Sequence, residues 1–87
     1  MSTSPGRDRV AQGAILLDVR TPEEFAEGHL DGALNIPVQV LAARCCELPA
    51  EAFIVVHCKS GGRSATAAQL LRARGHEVLD ICTMTAY

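Results

Sequence analysis

Residues 53–57 (FIVVH) run straight into a cysteine, two glycines and a helix-forming stretch, and this succession constrains the chain more than any other feature. A short, β-branched apolar run suits a buried strand. Residues 64–74 (SATAAQLLRAR) read as a helix. Ala67, Leu70, Leu71 and Arg74 share its inner side, Arg72 and Arg74 suit its C-terminal dipole end, and Gly75 caps it. Between strand and helix lie residues 58–63, CKSGGR. A loop leaving the carboxyl end of a parallel strand sits where open α/β sheets bind ligands. Gly61 and Gly62 lack Cβ atoms, so the backbone is free to curl and turn its N–H groups inward. Such a nest, backed by a helix N-terminus at Ser64, attracts anions and favours the thiolate of a cysteine placed in it. The expected object is a cradle with nucleophilic Cys58 at its floor and positive charge from Lys59 and Arg63.

The rest of the chain alternates in the same way. Residues 14–19 (AILLDV) form a nearly continuous apolar run, as expected of a strand buried on both faces. Thr21, Pro22 and Glu24 compose a capping box with proline at the first helical position, predicting a short helix over residues 22–27 that Gly28 stops. Residues 32–36 (GALNI) read as a second strand, residues 38–48 as a helix ended by Pro49, and residues 77–81 as a last strand. Residues 1–9 read as a flexible tail and residues 10–87 as one domain. Strands alternating with helices predict an α/β domain with a parallel sheet and right-handed crossovers.

An 87-residue chain has room for one core. Its net charge of −2 gives no general attraction to nucleic acid. No apolar run approaches the roughly 20 residues of a membrane span, and no apolar stretch of signal-peptide length follows the N-terminal arginines. A soluble, cytoplasmic monomer is the expectation. Cys45, Cys46, Cys58 and Cys82 make no C-x-x-C pair or zinc spacing, so no metal is expected. In a reducing compartment Cys45, Cys46 and Cys82 read as free thiols.

Three stretches in order resemble the rhodanese (sulfurtransferase) domain family. Residues 17–25 (LDVRTPEEF) are similar to its first signature, residues 27–37 (EGHLDGALNIP) to its second, and residues 57–64 (HCKSGGRS) to its active-site loop. The resemblance implies a small three-layer α/β domain, with a mostly parallel sheet of about four to five strands and helices on both faces. It implies a catalytic Cys58 that takes sulfane sulfur from a donor such as thiosulfate or a persulfide and passes it to cyanide or a thiol, without a cofactor. Residues Lys59, Ser60, Gly61, Gly62, Arg63 and Ser64 would bind the donor and stabilise charge. Asp18, Arg20, Glu24 and His29 read as structural residues near the site, with Arg20 and Glu24 expected to pair across the capping turn. His57 reads as a structural hydrogen-bonder.

The family usually carries a leading strand and helix, which about 14 residues leave short or absent. It also has a glycine pair, an apolar residue and a tryptophan where residues 82–87 (CTMTAY) stand here. Whether Cys82 pairs with Cys58 or takes sulfur from it stays open at this level. Two other functions compete with turnover. One is a sulfur-relay or protein-binding module whose acceptor is a protein. The other is a small phosphatase or arsenate reductase, whose loop places five residues between cysteine and arginine; here four, residues 59–62, do so.

Overall fold

The apolar runs form a four-stranded parallel sheet in the order β2-β1-β3-β4. Its strands are β1 (Ile15–Asp18), β2 (Leu34–Asn35), β3 (Ile54–Cys58) and β4 (Val78–Thr83). This computed structural model describes residues 4–87. The helices are α1 (Pro5–Ala11), α2 (Pro22–Glu27), α3 (Val38–Arg44) and α4 (Gly62–Ala73).

Alternation along the strands sorts the core into two layers. Leu17, Val19, Ile54, Val56 and Cys58 point to the face that packs against Leu41 of α3 and Ala67, Ala68 and Leu71 of α4. Leu16, Val55 and Ile81 point to the other, where Val10 of α1 and Tyr87 pack. The three-layer expectation therefore holds, with four strands. With only two phenylalanines, one tyrosine and no tryptophan, the core is aliphatic.

Local chemistry explains most boundaries. Thr21 and Glu24 form the expected reciprocal capping box at the start of α2. The helix over residues 38–48 ends sooner, at Arg44, and continues as a 3-10 turn over Cys45–Glu47. On α4 the inner face is Ser64, Ala67, Ala68 and Leu71; Leu70 is half-buried and Arg74 exposed, a correction to the expected stripe.

The N-terminal segment departs from the sequence reading. Residues 1–3 of the expected tail lie outside the described residues, but α1 begins at Pro5. Ser4 caps it by accepting from the Arg7 N–H at 3.1 Å, and its hydroxyl donates to the Tyr87 carbonyl at 2.5 Å. Buried Gly6 lets the helix approach the sheet closely. A Cβ there would stand 3.3 Å from Ile81, Tyr87 and Val55. The domain thus takes in residues assigned to the tail, and a leading helix is present.

β1 leads to β2 on one side, whereas β3 and β4 are added on the other. Chain order therefore reverses between β1 and β3, and a crevice opens beyond their carboxyl ends. Asp18 and His57 pair across that boundary, and Cys58 follows directly.

Candidate active site

Cys58 closes β3, and its side chain is fully buried under the loop that follows. The next two residues, Lys59 and Ser60, are exposed. Gly61 has φ +101°, a left-handed conformation that an L side chain adopts only with strain. This curl starts α4 two residues before the expected Ser64 and aims the Gly61 N–H at the Cys58 Sγ, 3.0 Å away. Gly62 has no such need: a Cβ there would meet open space. Of the two glycines, only the first is demanded by backbone geometry.

Burial is the largest single influence on the Cys58 thiol and pushes its pKa up. The Ser64 hydroxyl and the N–H groups of Ser64, Gly61 and Ser60 act in the opposite direction; together they outweigh burial and hold the pKa below the ordinary thiol range. The Ser64 hydroxyl also donates to the Gly61 carbonyl at 3.2 Å. It has one proton for two acceptors, so it serves either the carbonyl or the sulfur at a given moment.

The arginines are engaged elsewhere. Arg63 forms a bidentate pair with Glu24, at 2.6 and 3.0 Å, instead of facing the cradle. This pair and the capping box hold the Glu24 carboxyl at about 2. The expected Arg20–Glu24 pair is not formed. Arg20 Nε and Nη2 donate to the Asp18 carboxylate at 2.7–3.0 Å, and Nη2 also reaches the Gly28 carbonyl at 2.8 Å. Residues two apart on an extended segment share a side, so Asp18 is the nearer carboxylate. Lys59 makes no hydrogen bond or ion pair among the described residues. It lines a cleft of about 290 Å³ with Arg20, Glu24, Glu27, Gly28 and Met84.

The two histidines differ, His29 making structural contacts and His57 falling short of the expected hydrogen bond. His29 is exposed, stacked on Phe25 at 3.7 Å, with Nδ1 2.8 Å from the Phe25 carbonyl. His57 is buried, and its closest polar contact is a long 3.4 Å approach of Nδ1 to the Cys58 carbonyl. Its Nε2 has no hydrogen-bond partner and lies 4.0 Å from Asp18. Burial holds its pKa below the usual histidine value, so the ring is neutral. Asn35 supports the site without having been singled out as a site residue. Its amide donates to the carbonyls of Asp18 at 3.0 Å and Arg20 at 2.9 Å, fixing the end of β1. Its place before Ile36-Pro37 in the second signature was the available signal. Among the described residues, no three His, Cys, Asp or Glu side chains gather to hold a metal ion.

A family model for the rhodanese-like domain matches residues 6–81. A sulfurtransferase of Allochromatium vinosum is 35% identical over 65 residues, which cover 75% of this chain and 61% of that protein. The chain thus spans less than two thirds of that relative. The chloroplastic thiosulfate sulfurtransferase 16 of Arabidopsis thaliana is 38% identical over 94 residues, covering 93% of this chain and 78% of its own. Among solved structures, the human single-domain sulfurtransferase TSTD1 superposes with a TM-score of 0.70 at 33% identity, covering 83% of this chain and 80% of that one. All three relatives carry the name sulfurtransferase.

Proposed function

The chain belongs to the rhodanese-like domain family, and from that premise we propose that it is a sulfurtransferase working through a persulfide on Cys58. The observation that carries this reading is the Gly61 N–H held 3.0 Å from the Cys58 Sγ, in a loop whose donors lower the thiol pKa. In the proposed cycle the Cys58 thiolate attacks the outer sulfur of thiosulfate. The S–S bond breaks, its electron pair leaves with sulfite, and Cys58 carries the sulfane sulfur. Cyanide or a thiolate then attacks that outer sulfur and frees the Cys58 thiolate. No general base is needed when the nucleophile is already ionised.

The N–H groups of Ser60, Gly61 and Ser64, with the Ser64 hydroxyl, hold negative charge on either sulfur. Lys59 attracts the donor's anionic end, while Arg63, tied to Glu24, fixes α4 against α2 and shapes the loop from outside. Asp18, Arg20 and Glu24 are positioning residues in this scheme, and His29 takes no part. Because Cys58 is buried at rest, the donor reaches its sulfur only when the loop that follows it opens. Small sulfur compounds or a protein thiol serve as acceptors, in the cytoplasm, with the chain acting as a monomer.

The test is mass spectrometry of the protein after thiosulfate treatment, together with thiocyanate production from thiosulfate and cyanide. An added sulfur on Cys58 and turnover that disappears in Cys58→Ala are expected. A sulfur adduct that cyanide does not discharge, but a protein thiol does, would replace turnover by a relay role. Activity retained in Cys58→Ala would end the proposal.

A further inference from the structure

β4 meets β3 with a break in register beside Cys82. Val56 pairs with Asp80, but His57 pairs with Cys82, so Ile81 is an extra residue. Such a bulge interrupts the regular alternation of side chains. It leaves Cys82 level with His57, one step before the Cys58–Thr83 level.

The backbone of Cys82 is strained at this bulge. Its φ is +70°, a region that disfavours side chains, and its N–H is held by the Asp80 carboxylate at 2.9 Å. Its side chain lies against the active loop: a Cβ on Gly61 would stand 3.4 Å from the Cys82 Cβ and 3.6 Å from its Sγ. Gly61 is also the residue whose N–H touches the Cys58 Sγ. The two thiols thus flank one glycine, and its missing side chain leaves the space beside Cys82 open. Strands spaced about 4.8 Å apart, with a rise of about 3.3 Å per residue, put diagonal neighbours about 6 Å apart. That lies within the Cα separation of roughly 4.4–6.8 Å that a disulfide spans.

Resting on the persulfide reading above, we propose that Cys82 is a resolving thiol, which closes the sulfur-loaded protein into a Cys58–Cys82 disulfide when no acceptor arrives. The Cys82 thiolate attacks the inner sulfur of the Cys58 persulfide. The bond to the outer sulfur breaks, and that sulfur leaves with the electron pair as hydrosulfide. Two cysteine sulfurs are oxidised to a disulfide while the sulfane sulfur is reduced, so electrons balance, and the Cys82 proton leaves to water. An external dithiol reductant reopens the disulfide and is itself oxidised. The Asp80 carboxylate, followed by burial and the charge on Cys58, pushes the Cys82 pKa up, so this thiol attacks more slowly than one with an ordinary pKa. Cys58 is covered and Cys82 exposed, so closure leaves no free thiol at the mouth of the loop.

The experiment loads the full chain with thiosulfate, removes excess donor, and follows three signals without added thiol: the sulfur adduct on Cys58, released sulfide, and Cys58–Cys82 crosslinked peptide under non-reducing conditions. Wild type should lose the adduct while releasing sulfide in equal amount and gaining the crosslink. Cys82→Ser should keep its adduct and release no sulfide. A parallel titration of the unloaded protein in a glutathione redox buffer should give the same crosslinked peptide, and its absence in both treatments overturns the proposal. An adduct equally long-lived in wild type and Cys82→Ser, or a persulfide moved intact to Cys82, overturns the resolving step and leaves the sulfurtransferase reading standing. Absence of any Cys58 adduct overturns both.

Discussion

Gly61→Ala separates the work of backbone geometry from that of charge in this loop. Gly61 sits at φ +101°, and an alanine Cβ would meet Cys82 only at 3.4 and 3.6 Å, ordinary contact distances. The damage is therefore conformational. A side chain in left-handed backbone costs about 1–2 kcal/mol, so thermal unfolding should occur about 4–16 °C lower if the native loop is kept. If the loop relaxes to escape that strain, the Gly61 N–H swings off the Cys58 Sγ. A hydrogen bond to a charged group contributes about 1.5–3 kcal/mol, so its loss raises the thiol pKa. The pKa is read from the ultraviolet absorbance of the thiolate, as the pH-dependent difference between each protein and the same chain carrying Cys58→Ser. Reduced stability with an unchanged pKa means the loop held its shape under strain. A raised pKa with little loss of stability means it relaxed. Neither change in Gly61→Ala would refute the claim that this residue curls the loop around the sulfur.

Glu24→Gln removes a carboxylate held at about 2 against an ordinary 4.5. The stabilisation it supplies is present above the ordinary value and lost as pH falls toward about 2. Denaturant titrations from neutral to acid should therefore show wild type ahead of the variant and the gap closing in that window; a gap independent of pH would contradict the ion-pair account. His57 adds to acid sensitivity from higher pH. Its pKa is lowered by burial, so the unfolded chain takes up the proton first, and stability falls as pH drops through the ordinary histidine value of 6.5 toward the lower folded one. His57→Gln should flatten the wild-type loss in that range. Asp18→Asn leaves the Arg20 guanidinium, 7% exposed, without its carboxylate. A cost of about 3–5 kcal/mol is expected by denaturant unfolding, and one below about 1 kcal/mol would show that Arg20 finds water. Gly6→Val places methyl groups where a Cβ already stands 3.3 Å from three side chains. About 1–3 kcal/mol of overpacking is expected, seen as faster amide exchange in α1.

What was legible in the sequence was what neighbours in the chain decide. The Thr21–Glu24 capping box and the glycine loop rest on contacts within a few residues, and the strand expected over residues 53–57, found at Ile54–Cys58, showed in its own β-branched run. α1 was missed for a physical reason. Residues 5–11 (PGRDRVA) carry little apolar surface at helical spacing, and the helix docks through the bare backbone of Gly6, which leaves no hydrophobic signature. The partner of Glu24 was missed because Arg63 is 39 residues away, and only the fold sets α4 beside α2. The left-handed backbone of Cys82 gave no signal, since cysteine does not advertise such a conformation as glycine does.

These long-range pairs change how the site handles charge. Residue types alone suggested a cradle made positive by Lys59 and Arg63, yet Arg63 is neutralised by Glu24 and Arg20 by Asp18. Glu24 and Glu27 also face the cleft that Lys59 lines. Long-range attraction for a dianion is therefore weak at the mouth, and the favourable field lies close to the sulfur, in oriented N–H groups that act over a few ångströms. Such a field holds a thiolate or a persulfide better than it gathers thiosulfate from solution. A high thiosulfate KM that responds little to salt follows from this, and Glu24→Gln, by freeing Arg63, should lower the KM and make it salt-dependent. A thiosulfate KM that already rises steeply with salt in the wild type would mean that the arginines leave their carboxylates when the donor arrives.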